Sequence, residues 1–156
     1  MGVTDILFDI WAFEDCNNLT SIEVYPDNLK FASDDGVLYN KEKTELIKYP
    51  NGRQGDYLIP ETVITLGEDP FRYSLRLTSI TKPPNHPEFS SEDGVLFNKD
   101  KMRLIKCPNC RQGDYVIPDS VVVCKRIRFT IPDKFSAIRR QLLSENIKKS
   151  TLPLLL

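Results

Sequence analysis

Short apolar runs broken by Gly, Pro and Asn set the rhythm of this chain up to about residue 124. Leu19, Ile22 and Val24 are apolar, with Thr20, Ser21 and Glu23 between them, which predicts a half-buried strand. Its first two apolar residues are three apart rather than two, so the alternation is imperfect. A Y-P-D-N turn follows. Then G-V-L-Y, N-K-E-K and T-E-L-I-K-Y-P read as strand, polar turn and strand, a β-hairpin. Alternation places Val37 and Tyr39 on one face and Leu38 on the other. In N-G-R-Q-G-D, Gly52 and Gly55 are free to take positive φ, which predicts a turn. Tyr57–Ile59 forms a further strand stopped by Pro60, and Val63, Ile64 and Leu66 form another before Gly67. Phe71 and Tyr73 are expected to pack under the next L-T-S-I. Helical spacing appears only late. Phe135, Ile138 and Leu142, with Leu143 and Ile147 and with Asp133 as an N-cap, predict an amphipathic helix over 134–149.

The pattern repeats. N-G-R-Q-G-D-Y-L-I-P at Asn51–Pro60 returns as N-C-R-Q-G-D-Y-V-I-P at Asn109–Pro118, an offset of 111 − 53 = 58 residues. Overlaying Leu19–Leu66 on Leu77–Cys124 needs no gap, and 27 of 48 positions are identical. That fixes an internal duplication, so each motif is read first as a part of the repeat. Ala12-Phe13 pairs with Pro70-Phe71 at the same offset, which makes the start a partial earlier copy. The expected organisation is a repeat region over 1–124, with a partial copy at 1–18 and copies at 19–76 and 77–124, followed by a non-repeat tail over 125–156.

The residues W-A-F-E-D-C-N-N-L-T-S-I-E-V (Trp11–Val24), D-G-V-L-Y-N-K and I-P-E-T-V-I-T-L-G (Ile59–Gly67) resemble the BspA-like leucine-rich repeat family of bacterial and protist surface proteins. The unit is closest at Ala12–Ile22. At Pro70–Ile80 it departs from the pattern, with Pro70 in place of Ala and Ser74 in place of Cys. The resemblance covers residues from about 8 to 124. It implies a mainly β fold, a right-handed solenoid of the leucine-rich-repeat type with inserted β-hairpins, to which the periodicity adds the C-terminal helix. It also implies a cell-surface or secreted protein whose role is binding or adhesion rather than catalysis.

Composition refines this in a few places. The net charge is −1, so global charge gives no argument for nucleic acid. Its distribution is uneven: residues 1–124 carry 13 Lys/Arg and 20 Asp/Glu, and residues 125–156 carry 8 and 2, giving −7 and +6. Arg126, Arg128, Arg139 and Arg140 lead the basic tail, which is expected to cap the open end of the repeats, with nucleic acid, an anionic membrane surface or an acidic partner as the alternatives. No secretory signal is visible, and no apolar run has the length of a membrane span. That leaves a truncated repeat fragment without present function as one alternative.

Cys107-Pro-Asn-Cys110 is a C-x-x-C, and a thiol redox or metal-binding role is the enzyme-class alternative. The repeat argues against it, because Tyr49 and Gly52 stand at the same positions of the first copy. His86, the single histidine, corresponds to Asn28 and has no nucleophile implied beside it. R-Q-G-D-Y is expected to do turn work, with Asp56 bonding the local backbone. No cofactor is indicated. The binding candidates are the hydroxyl and carboxylate positions of the two L-T-S-I strands: Thr20, Ser21 and Glu23, and Thr78, Ser79 and Thr81. The expected ligand is a protein or a glycan, with self-association through exposed end strands as a further possibility.

Overall fold

The computed structural model describes residues 10–124. The expected helix over 134–149 and the basic tail lie outside them, as do residues 1–9 of the N-terminal partial copy. Within the described residues the chain is mainly β. Its one helical element is a single 3-10 turn at Ile10–Phe13. The first copy contributes β1 (Phe31–Asp34), β2 (Val37–Asn40), β3 (Glu45–Lys48), β4 (Gly55–Leu58) and β5 (Thr65–Leu66). The second contributes β6 (Leu77–Thr81), β7 (Phe89–Glu92), β8 (Val95–Asn98), β9 (Arg103–Lys106) and β10 (Val123–Cys124).

Adding 58 to β1, β2, β3 and β5 gives β7, β8, β9 and β10 residue for residue. Each set makes a four-stranded sheet, ordered β1-β2-β3-β5 and β7-β8-β9-β10, antiparallel except for the parallel last pair. The two elements that do not recur are β4 and β6. They pair with each other in parallel and join the first copy to the second. The strands form three short, separate sheets, so the architecture is mainly β and built from repeated sheets.

The hairpin is longer than the pattern predicts. A strand precedes it, because Asp34 pairs with Val37 and leaves Asp35-Gly36 as a two-residue turn. Asp35 and Gly36 have φ of 45° and 70°, and Asp93 and Gly94 have 49° and 74°. Two positive φ values in succession are the type I′ turn that matches the twist of the flanking strands, and Asp-Gly is its favoured sequence. At the second turn, the Asn40 side-chain oxygen accepts N–H bonds from Thr44 (2.8 Å) and Glu45 (2.9 Å), and Asn98 accepts one from Arg103 (2.8 Å). Contrary to simple alternation, Val37, Leu38 and Tyr39 are all buried, so β2 is covered on both faces.

R-Q-G-D-Y fastens this hairpin. Arg53 donates to the Asp35 carbonyl, and Arg111 donates to the Asp93 carbonyl. The guanidinium of Arg53 stacks over Tyr49 and that of Arg111 over Tyr115. The two repeated motifs are therefore one device, with the arginine of one holding the turn of the other.

The first core holds Val37, Tyr39, Leu46, Tyr49, Tyr57, Ile59, Val63 and Phe71 from the first copy, closed by Leu77, Ile80, Phe89 and Leu96 from the second. Tyr49, Tyr57 and Phe71 form an aromatic triangle with centroids 5.1 to 6.0 Å apart. The Tyr39 and Tyr57 hydroxyls bond each other at 2.8 Å inside it. The second core has Val95, Phe97, Leu104 and Tyr115, with Cys107, Ile117 and Val121 packed against it. Phe97 replaces Tyr39 and Cys107 replaces Tyr49. The Tyr115 hydroxyl accordingly finds no partner among the described residues. Tyr73 departs from expectation. It takes φ of 60° and donates its hydroxyl to Glu14 (2.5 Å) instead of packing under L-T-S-I.

Lys48 is 2% exposed, and its ammonium donates to the Arg72 carbonyl at 2.8 Å. Burial pushes its pKa down from 10.5 to about 8, against the favourable charge of Asp69. The unfolded chain therefore holds more protons than the folded one between about pH 8 and 10.5. In that window stability rises with pH. Lys48→Met keeps the aliphatic stem and removes the titration. Wild type should gain on this variant by roughly 1–3 kcal/mol between pH 7.5 and 10, at about 1.4 kcal/mol per pKa unit. Urea titrations at four pH values check this.

The tyrosine pair gives a second contrast. Tyr57→Phe leaves the Tyr39 hydroxyl buried without its partner and should cost about 1–3 kcal/mol. Tyr115→Phe removes a hydroxyl that makes no bond among the described residues and should be neutral or stabilising by up to about 1 kcal/mol. Thermal unfolding of the two single variants separates them.

Candidate functional site: the face of the parallel ladder

The site is built on β4 and β6. Gly55 stands opposite Leu77, Asp56 opposite Ser79, Tyr57 opposite Ile80 and Leu58 opposite Thr81. Thr78 is skipped, so it is the extra residue of a β-bulge. This explains the three-residue spacing of L-T-S-I. The bulge lets Leu77 and Ile80 both turn inward, each 0% exposed, while Thr78 and Thr81 face solvent. Gly55 takes φ of 94° at the point where the register shifts. The ladder begins with the Gly55 N–H on the Arg76 carbonyl (3.2 Å) and ends with the Ile59 N–H on the Thr81 carbonyl (2.9 Å).

The outward surface consists of Thr78 and Thr81 on one strand and Asp56 and Leu58 on the other. The Thr78 hydroxyl donates to the Asp56 carboxylate at 2.6 Å. Asp56 therefore faces the neighbouring strand and does not bond the local backbone as its turn context predicts. Leu58 is 58% exposed. Asp56 and Leu58 are not among the binding positions expected from the sequence; an acidic and an apolar residue flank the tyrosine of R-Q-G-D-Y in both copies, but only pairing with β6 puts them on this face.

Ser79 lies elsewhere. It is half-buried against the hairpin, where a Cβ on Gly94 would sit 2.9 Å from the Ser79 Cβ. The Ile80 N–H donates to the Gly94 carbonyl at 2.8 Å. In the first copy Ser21 meets Gly36 in the same way, and the Ile22 N–H donates to the Gly36 carbonyl at 2.9 Å. Residues 19–24 form no strand, contrary to expectation. Their counterpart, β6, pairs with β4, whereas among the described residues no strand pairs with residues 19–24. The segment is held instead by the Gly36 carbonyl and by the Gly52 N–H on the Leu19 carbonyl (2.9 Å). Thr20, Ser21 and Glu23 are exposed there, with the Ser21 hydroxyl donating to Glu23 (2.6 Å). The structure thus joins Thr78 and Thr81 to Asp56 and Leu58, and leaves Thr20, Ser21 and Glu23 on a separate, unpaired segment.

The remaining chemical candidates have local explanations. His86 is fully buried. Its Nδ1 accepts the N–H groups of Glu88 (3.3 Å) and Phe89 (3.2 Å), which puts the ring proton on Nε2, facing the Pro60 carbonyl at 3.2 Å. Asn28 does the same in the first copy, accepting from Lys30 and Phe31 at 2.9 Å each. The histidine is a turn cap whose ring also bridges the copies. Cys16, Cys107 and Cys110 are free. Burial pushes the Cys107 thiol up, which disfavours the thiolate that redox exchange needs. Cys110 is exposed, and its Sγ lies 2.9 Å from the Leu75 carbonyl. Among the described residues no three His, Cys, Asp or Glu side chains are grouped to hold a metal ion. Nor, among them, is any helix long and apolar enough to cross a membrane.

No family model matches this chain, and no curated protein does. Among solved structures it is similar to the pneumococcal vaccine antigen PcpA. The match has 28% identity over 53% of this chain and 20% of that one, with a TM-score of 0.43. It is also similar to a leucine-rich repeat protein from Eubacterium ventriosum, at 26% identity over 69% of this chain and 26% of that one, with a TM-score of 0.42. The chain spans about a fifth and about a quarter of the length of these two proteins.

The thiols give a direct check on this geometry. A maleimide at pH 7 should label Cys110 at least about tenfold faster than Cys107, because the rate follows exposure and thiolate fraction. Peptide mapping after timed quenching measures both, and equal rates would mean that Cys107 is not held as described.

Proposed function

We propose that this chain is a non-catalytic binding scaffold of the leucine-rich-repeat type, and that it contacts a protein or glycan through the outer face of the β4–β6 ladder. The observation that supports it is the bulge at Thr78. It places Thr78 and Thr81 on the solvent side beside a carboxylate and an exposed leucine, with the Thr78 hydroxyl donating to Asp56 and that of Thr81 to the Tyr57 carbonyl. Hydroxyl and carboxylate groups at fixed spacing suit the hydroxyls of a sugar or the amides of a peptide. The flanking aliphatic surface supplies area, and affinity sums over many weak contacts. Thr78 and Thr81 are the central contacts, with Asp56 and Leu58 added to them. Thr20 and Glu23 extend the surface on the unpaired segment, with Ser21 and Ser79 as the seats on which the hairpins rest. In this reading the copies are turns of a right-handed solenoid. The setting we assign, from the motif at Ala12–Ile22, is the cell surface or the secreted space.

The test is a glycan array together with a panel of immobilised extracellular-matrix proteins, probed with the full chain. Thr78→Ala/Thr81→Ala and Asp56→Ala should each weaken a detected interaction by about tenfold, the scale of losing one or two hydrogen bonds at roughly 1–1.5 kcal/mol. Unfolding temperatures of the variants show that the ladder persists. A detected interaction that is indifferent to all three substitutions would place the site on another face.

A further inference from the structure

Two neighbouring residues of the first copy are fixed by the segment that packs on them. Asn51 is 2% exposed, and its side-chain amide donates to the carbonyls of Phe13 (2.7 Å) and Glu14 (3.2 Å). Two carbonyl partners on one side settle which way the amide points. Its Oδ1 is buried and accepts no hydrogen bond among the described residues. Gly52 follows, and its N–H donates to the Leu19 carbonyl at 2.9 Å. A Cβ on residue 52 would stand 2.6 to 2.8 Å from backbone atoms of Asn17 and Asn18. Packing thus requires an amide donor at 51 and no side chain at 52. The pair that meets both needs is Asn-Gly, and it occurs once in the sequence.

That pair carries a chemistry of its own. With no Cβ in the way, the Gly52 backbone nitrogen can reach the side-chain carbonyl carbon of Asn51. Attack forms an N–Cγ bond, the Gly52 nitrogen gives up its proton, and Nδ2 leaves as ammonia. Water then opens the resulting succinimide at either carbonyl, which leaves aspartate or isoaspartate at position 51. In the docked state both reacting groups are held: the leaving amide by two carbonyls, and the proton of the attacking nitrogen by a third. All three acceptors belong to residues 13–19. The counterpart pair, Asn109-Cys110, is exposed but has a side chain at its second position, and Asn109 Oδ1 accepts from the Lys106 ammonium at 3.3 Å. The product does not fit where the amide did. A carboxylate has no proton to give, and it would set a buried charge against the Phe13 and Glu14 carbonyl oxygens. Isoaspartate adds a backbone atom where Asn17 and Asn18 already crowd Gly52.

We propose that Asn51-Gly52 is a deamidation site closed by the docking of residues 13–19, and that its conversion releases this segment irreversibly. The Gly52–Leu19 bond, one of the two backbone bonds that hold residues 19–24, is lost with it. The modification therefore acts on the stretch that carries Thr20, Ser21 and Glu23. It does not depend on the ligand of the outer face.

Timed incubation of the full chain in mildly alkaline buffer tests it, with peptide mass spectrometry resolving asparagine, aspartate and isoaspartate at position 51. Conversion should run at least about tenfold slower in the native chain than in urea, because the reacting groups come free only on opening. Glu14→Ala removes the contacts of the segment with Tyr73 and Arg72 but keeps its backbone acceptors. It should raise the native rate by about threefold or more and leave the rate in urea unchanged. Asn51→Asp carries the product from the start. It should lower the hydrogen-exchange protection of the Gly52 amide by about tenfold or more. The counterpart amide of Cys110, bonded to the Leu77 carbonyl at 3.1 Å, should keep its protection in both variants. Four results would overturn the proposal: equal rates in the native and unfolded chain; a Glu14→Ala rate equal to wild type; full Gly52 protection in Asn51→Asp; or loss of Cys110 protection in step with Gly52, which means that the whole chain opens and not the segment.

Discussion

The first core cannot close on its own residues. Tyr49, Tyr57 and Phe71 make their triangle within the first copy, but the core around it is completed by Leu77, Ile80, Phe89 and Leu96 of the second. Phe71 lies near the end of the first copy, and Leu77 and Ile80 stand on β6 at the start of the second. Burying side chains of this size contributes about 1.5–3 kcal/mol each. The junction therefore carries a substantial share of the stability of both copies. The β4–β6 ladder is the backbone half of the same junction, which is why β4 and β6 are the two strands that a copy cannot form alone.

Around that junction the copies agree where a residue serves its own copy and differ where it meets a neighbour. The Arg–Asp-Gly fastening of each hairpin is duplicated, as are the Lys43–Asp34 and Lys101–Glu92 pairs at 2.8 Å, whose exposure limits their worth to about 0–1 kcal/mol. Asn28 and His86 cap the same turn. His86 is the larger residue because it also reaches Pro60 in the preceding copy. Gly52 is required by close approach, since a Cβ there would stand 2.6 Å from the Asn18 carbonyl carbon. Its counterpart Cys110 is exposed beside Leu75. The C-x-x-C is thus two separate substitutions, one of a core ring and one of a packing glycine.

The period of 58, the hairpin strands and the inward positions were legible from spacing, because they repeat and because each depends on local chemistry. Three features were not. The strand β1 was missed although Asp35-Gly36 announces a two-residue hairpin, since the run before it, F-A-S-D, has too little apolar content to show a period. Leu38 defied alternation because both faces of β2 are covered, and burial on both faces erases the period-two signal. Of the candidate site, Thr78 and Thr81 were legible as polar positions. Asp56 and Leu58 were not, because their place on the face is set by pairing with a strand more than twenty residues away.

The bulge ties the fold to the surface it presents. An unbulged strand would send Leu77 and Ile80 to opposite faces, and the first core would lose one of them. Skipping Thr78 in the register restores both to the core and pushes a hydroxyl outward, next to Asp56 on β4. The polar row is therefore a consequence of closing the core, and any further copy that closes a core in this way lays down another hydroxyl at the same spacing. Such a surface grows by addition along the array. Its groups stand side by side and do not converge on one reacting atom, a geometry that favours summed weak contacts over concentrated chemistry.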